Sequence, residues 1–286
     1  PKANWSGVDA IAYRACSNTG ACYEEMATVR VSLGPWPSIS TAGQSGRSGP
    51  VTARPRAMSN VRFASTPLVV PLSEVISVPP DLRPSSPWDA GREGTVTRLF
   101  AVPAPGNGQP AQWQVAVDIG RFSFDPMRAY VGVDANGDGQ PSADEVRCTA
   151  TMGLAEEFCD FPLIHPGSGE LRYWVMLHNP ALDAREADVH VAAVPMVEGD
   201  GKLVATGQSS VAAGGTLTFM ASYNDPTVLQ TEPAIGYVRV MQGDQEVDRL
   251  PAMIYVDAEI STNSGAALAN GEAHALRLSP GQAHDR

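Results

Sequence analysis

Lysine is almost missing from this chain, with only Lys2 and Lys202 among 286 residues. Charge of any sign is scarce at 18%, and acidic residues (31) outnumber Lys and Arg (20), for a net charge of −11. Such a surface repels phosphate, so nucleic acid is not an expected partner. No stretch approaches the roughly 20 apolar residues of a membrane-crossing helix, so membrane insertion is not expected either. Hydrolase motifs are missing as well. There is no G-x-S-x-G elbow, no Gly-Thr-Ser-Met-Ala type sequence, and no zinc or nucleotide motif. The histidines (His165, His178, His190, His274 and His284) fall outside any recognisable catalytic pattern. His178 and His190 lie on expected strands, where a partly exposed sheet histidine is the simpler reading. A nucleophilic serine needs a base and an orienting group, and no such set is apparent, so the chain is not expected to be an enzyme. No signal peptide precedes Pro1, and the chain is expected to begin inside a longer polypeptide, which leaves export open.

What is present is glycine (27), proline (24) and a 43% hydrophobic fraction, arranged in short alternating runs. Period-2 runs broken by turn residues predict strands, and no stretch has the period of an amphipathic helix. The expected fold class is all-β, a set of tandem β-sandwich modules. Residues 1–33 form a first unit in which 8–33 read as a hairpin, with Val29, Val31 and Leu33 alternating with Arg30 and Ser32 after a Ser17–Asn18–Thr19–Gly20 turn. Residues 34–91 read as linker and extended connector: 34–60 are rich in Gly, Ser, Pro and Arg, and the apolar run Pro67 to Val78 reads as either a strand pair or an extended connector. Arg47, Arg54, Arg56 and Arg62 then decorate a solvated linker, and Ser45 and Ser48 are bland. Residues 92–197 carry clear strands, including AQWQVAVDIG, RAYVGVD and ELRYWVMLHN, with Leu171, Tyr173, Val175 and Leu177 on one face. Residues 198–260 carry a further strand group, short for a complete sandwich of about 100 residues. Residues 261–286 read as a flexible tail.

The cysteines fall into two local pairs, Cys16 with Cys22 and Cys148 with Cys159. Each pair brackets a short polar stretch, which is disulfide spacing and not zinc-site spacing. Two local disulfides, each within one hairpin or loop, imply an oxidising compartment. The other reading is four buried free thiols.

Three segments resemble known modules. Asn4-Trp5-Ser6-Gly7-Val8-Asp9, Tyr13 and Ala27-Thr28-Val29 resemble the closing half of bacterial immunoglobulin-like or cadherin-like repeats. RAYVGVDANGDG, the Cys148–Cys159 span and GELRYWVMLHNP resemble the pre-peptidase C-terminal domain, a jelly-roll-like β-sandwich appended to secreted bacterial peptidases. Two extra residues separate Gly169 from the Tyr173–Trp174 pair in that pattern. The order GGTLTF, IGYVRV, LPAMIYV is similar to fibronectin-type-III-like modules at the C-termini of secreted subtilases.

The most specific chemical signal is the segment Asp134 to Glu145. It fits D-x-[DN]-x-[DN]-G-x₅-E at every fixed position. Asp134, Asn136 and Asp138 would supply side-chain oxygens, Gln140 a backbone carbonyl and Glu145 a bidentate carboxylate, with Gly139 at the sharp turn. That donor set suits a structural Ca²⁺. An Asx-rich turn satisfied by its own backbone is the competing reading. Trp113, Tyr130, Tyr173 and Trp174 could form a carbohydrate platform, although large aromatics fill cores first.

The resemblances imply a non-catalytic accessory, stabilising or substrate-docking region of a secreted bacterial peptidase, whose full-length parent would be the serine peptidase. The partner would be the parent catalytic domain or an extracellular protein or glycan surface, and the location extracellular or on the cell surface. A repeat segment of a surface adhesin and a carbohydrate-binding appendage are the alternatives.

Overall fold

The computed structural model describes residues 7–16, 22–31, 38–41, 45–48, 51–53, 58–82, 87–88, 93–106, 108, 111–120, 127–151, 158–212, 215–224 and 233–256. The architecture is all-β, and most pairings are antiparallel.

The chain opens with a hairpin of β1 (Gly7–Cys16) and β2 (Cys22–Val31), as its alternation predicts. The register sets Cys16 directly opposite Cys22. The side chains of that pair, the Asn4–Trp5–Ser6 step and the tail at 261–286 lie outside the described residues.

Next come β3 (Ser38–Thr41), β4 (Ser45–Arg47), β5 (Val51–Ala53) and β6 (Val61–Ser65), in the stretch expected to be a linker. The sandwich that follows is built from β7 (Leu72–Val78), β8 (Thr95–Val102), β9 (Ala111–Gly120) and β10 (Arg128–Val133). It is completed by β11 (Val146–Thr151), β12 (Phe158–His165), β13 (Leu171–His178) and β14 (Arg185–Pro195). Its two sheets have the orders β11-β10-β13-β8 and β12-β9-β14-β7. Their facing sides share one core, with Val115, Val117 and Ile119 of β9 against Val131, Tyr173, Val175 and Leu177. The face predicted for β13 is therefore the core face.

The last strands are β15 (Leu203–Gly207), β16 (Leu217–Asn224), β17 (Ala234–Gln242) and β18 (Gln245–Val256). They do not stand alone. β4 and β5 add to β16, β6 pairs with β17, and β3 runs parallel to β18. Val51, Met58 and Val61 are buried in one core with Leu217, Phe219, Tyr223, Val238 and Leu250. The second sandwich is thus assembled from two separated segments, β3–β6 and β15–β18, and the first is inserted into it between β6 and β15.

This corrects the division at 34–91. Only part of that stretch connects. Ser38–Ser65 holds four strands of the outer, host sandwich, and β7 is an edge strand of the inserted one. Two of the supposed linker residues follow suit, while Arg54 and Arg56 lie outside the described residues. Ser48 is buried, and its hydroxyl accepts a hydrogen bond from the Ala221 N–H at 3.0 Å. Arg62 reaches the Gly243 carbonyl and lies 3.6 Å from Asp244. The shortness of 198–260 has the same cause, since its missing strands precede the insertion.

The two crossings between sandwiches lie side by side. The Gly199 N–H donates to the Ser65 carbonyl at 2.7 Å, and a Cβ at 199 would stand 2.6 Å from the Thr66 carbonyl oxygen, so only glycine fits. The outer face of the β9–β14 sheet then packs on the host. Ala116, Ala192 and Val194 are buried against Ile235, Tyr237 and Met253. A polar chain rims this contact. Gln114 and Tyr237 both donate to buried Asp160, at 3.1 and 3.2 Å, and Arg249 donates to the Gln114 amide oxygen at 2.7 Å.

Candidate metal loop

The loop expected to hold a cation leaves the end of β10 and returns through a single 3₁₀ turn, Ala143–Glu145, into β11. Its flanks are strands, as read from the sequence, so it is an isolated loop and not part of a helical pair. Gly137 and Gly139 adopt φ of 75° and 71°, the left-handed conformation that glycine takes at no steric cost.

The five predicted ligand residues divide into two tiers. Asp134 and Glu145 are buried at the base, at 6% and 4% exposure, while Asn136, Asp138 and Gln140 are exposed at the rim. Backbone donors fix the rim. The N–H of Asp138 donates to Asn136 Oδ1 at 2.9 Å, and that of Gln140 to Asp138 Oδ1 at 2.7 Å. The Asn136 amide donates to Asp138 Oδ2 at 3.0 Å. At the base, the Gly139 N–H crosses the loop to Asp134 Oδ1 at 3.2 Å. Glu145 accepts from the Ala135 N–H at 2.9 Å on one oxygen and from Trp174 Nε1 at 3.2 Å on the other.

One atom is left over. Asp134 Oδ2 is buried and has no hydrogen-bond partner. Its sister oxygen is bonded across the loop, so the carboxylate is directed inward. A buried carboxylate oxygen without a donor is costly, and each uncompensated buried ion costs several kcal/mol. Arg172, whose charge reaches Asp134, is paired on the surface with Glu170. Among the described residues, no three Asp, Glu, His or Cys side chains are close enough to enclose an ion by themselves. The loop offers two carboxylates at its base, a third carboxylate and an amide at its rim, and the Gln140 carbonyl in the chain between.

Cys148 and Cys159 are joined, with Cα atoms 6.0 Å apart. Of the two placements the spacing allowed, a hairpin or a loop, the bond closes a loop, the one between the consecutive strands β11 and β12. β11 and β12 are edge strands of different sheets, so the disulfide links the two layers of the inserted sandwich just beyond the loop. The opposite edge is tied by charge: Arg98 on β8 donates to Glu74 on β7 at 2.8 Å. His178 and Asp81, both buried, meet at 3.0 Å and hold the chain leaving β7 against the end of β13.

The aromatic set is internal. Trp174, Tyr173 and Tyr130 are buried and Trp113 nearly so, which removes these four rings as an exposed sugar platform. Burial also pushes the Tyr173 phenol well above its ordinary value. A Ser–His contact went unnoticed in the sequence. Ser73 Oγ lies 2.8 Å from His190 Nδ1, and the strand register places Asp118 beside His190. The row runs across an outer sheet face with Ser73 exposed, where water competes for the serine proton. Only cross-strand pairing brings these residues together, so no local motif announced them.

No family model matches the chain, and no curated protein is significantly similar to it.

Proposed function

We propose that this chain is a non-catalytic accessory region of a secreted bacterial peptidase, stiffened by one structural Ca²⁺ in the Asp134–Glu145 loop. The observation that carries the cation is the buried, partnerless Asp134 Oδ2 inside a twelve-residue loop of oxygen donors. Asp134, Asn136, Asp138, Glu145 and the Gln140 carbonyl would hold the ion, which supplies positive charge and no reactive chemistry. An all-oxygen set on a flexible loop favours Ca²⁺ over Mg²⁺. Without a paired second loop, the dissociation constant belongs in the range of about 10⁻⁴–10⁻³ M seen for extracellular modules. The disulfide supports an oxidising, extracellular setting. The peptidase parent is the reading favoured by the resemblance of 92–197 to pre-peptidase C-terminal domains, with that parent's catalytic domain or substrate as the partner.

The test is a thermal melt in calcium and in chelator. At tenfold excess over the dissociation constant, mass action predicts about 1.4 kcal/mol of added stability and a rise of a few degrees, lost in Asp138→Ala. Equal melting in both buffers would reduce the loop to a turn. Incubation with casein and simple esters should show no turnover. Hydrolysis abolished by Ser73→Ala or His190→Ala would overturn the non-catalytic assignment.

A further inference from the structure

The Glu145 carboxylate is the last ligand position of the loop, and half of it is held by a residue the ligand pattern does not contain. Trp174 lies on β13, 29 positions away, and donates its indole N–H to Glu145 Oε2 at 3.2 Å. The indole is fully buried. It lies against Gly132, where a Cβ would stand 2.1 Å from Trp174 Cζ2, so a bare glycine makes room for the ring. From the other side Trp88 meets it edge-on, with ring centroids 6.2 Å apart, and also meets Tyr130 at 5.1 Å. These rings, with Val146 and Met176, form a small apolar cluster on the outer face of the β11-β10-β13-β8 sheet. Trp88 is its half-buried outer member.

We propose that Trp174 is a positioning residue for the cation, orienting Glu145 through its indole N–H, and that packing of Trp88 on Trp174 is energetically linked to cation binding. The proposal rests on the calcium reading above. A carboxylate that must bind bidentately loses rotamer freedom on binding. One already fixed by the Ala135 N–H and the Trp174 indole loses less. Outer partners that orient metal ligands commonly change affinity by about 10–100-fold when removed. Linkage is reciprocal: if Trp88 packing favours the oriented carboxylate, a bound cation favours Trp88 packing by the same factor.

Calorimetric titration of the intact chain with CaCl₂ tests this. Glu145→Gln should bind too weakly to measure. Trp174→Phe, which keeps an apolar ring on Gly132 but has no N–H, should bind about tenfold or more weakly. Trp88→Leu should weaken binding by a smaller factor, since it acts only through Trp174. A second readout needs no substitution at Trp174: its indole N–H resonance should shift with calcium in the wild type and stay fixed in Asp138→Ala. Wild-type affinity in Trp174→Phe, or an indole resonance unmoved at saturating calcium, would show that Trp174 only packs. A wild-type chain that binds no calcium up to about 10 mM, well above the range expected of extracellular modules, would remove the calcium reading and this proposal with it.

Discussion

The inserted and host sandwiches are similar in layering and differ in how they are closed. The insert is one continuous stretch from β7 to β14, with both open edges fastened. A disulfide joins β11 to β12, and the Arg98–Glu74 and His178–Asp81 pairs tie the β7 side. The host is made of two segments separated by the whole insert, and packing and strand pairing join them. Its strands from the first segment are short, three to five residues each. The contrast teaches where each sandwich draws its cooperativity. The insert has a local disulfide that constrains its unfolded chain. The host depends on contacts distant in sequence, which must overcome loop-closure entropy before they contribute.

The largest expected effect separates the two. Phe219 is buried in the host core and stacks on Phe63 of the first segment, with centroids 4.9 Å apart. Phe219→Ala should cost about 3–5 kcal/mol, measured by urea denaturation. If residues 61–65 belong to the host, their amides should lose protection together with 217–224. Loss confined to 217–224 would break the comparison. Next in size, replacing Cys148 and Cys159 together by Ser should cost about 2–3 kcal/mol from loop entropy, expressed in the insert. A melting change confined to host strands would contradict the placement of the link.

The smallest effect concerns Tyr173, stacked on Phe100 in the insert core at 5.4 Å. Its folded-state pKa is raised by burial, so the neutral phenol is favoured in the fold. The sign follows directly. The contribution is intact below the unfolded value of about 10 and is lost as pH rises above it, by up to about 1.4 kcal/mol per pH unit. Urea melts at pH 9 and pH 11 should show a steeper alkaline loss in wild type than in Tyr173→Phe. Parallel losses would mean that the phenol is solvated.

How far the sequence was legible follows the same divide. In the insert, AQWQVAVDIG coincides with β9, and RAYVGVD and ELRYWVMLHN give β10 and β13, because each is an apolar run of strand length buried on both faces. β11 was legible only at 146–148, as the flank of the loop: VRCTAT is short and polar, and the partner strand and the disulfide hold the rest in place. In the host, SGR and VTA are too short to show a period, and the Gly, Ser, Pro and Arg around them read as linker. Their strand state comes from β16, which no local pattern reveals. The Asp134 loop was legible as a candidate because its proposed ligands lie within twelve residues. Trp174 was visible only as an aromatic, since its contact with Glu145 is made across the fold. The Ser73–His190 contact was hidden for the same reason.

Hydrogen exchange by mass spectrometry on the whole chain, in calcium and then in chelator, tests the architecture and the proposed cation together. Amides of 58–65 should be protected to the same degree as those of 217–224 in both buffers. Calcium should add protection at 128–133 and 171–178, the strands that carry the loop and Trp174. Exchange of 58–65 within seconds, as in a free linker, would contradict the discontinuous host sandwich on which the account is built.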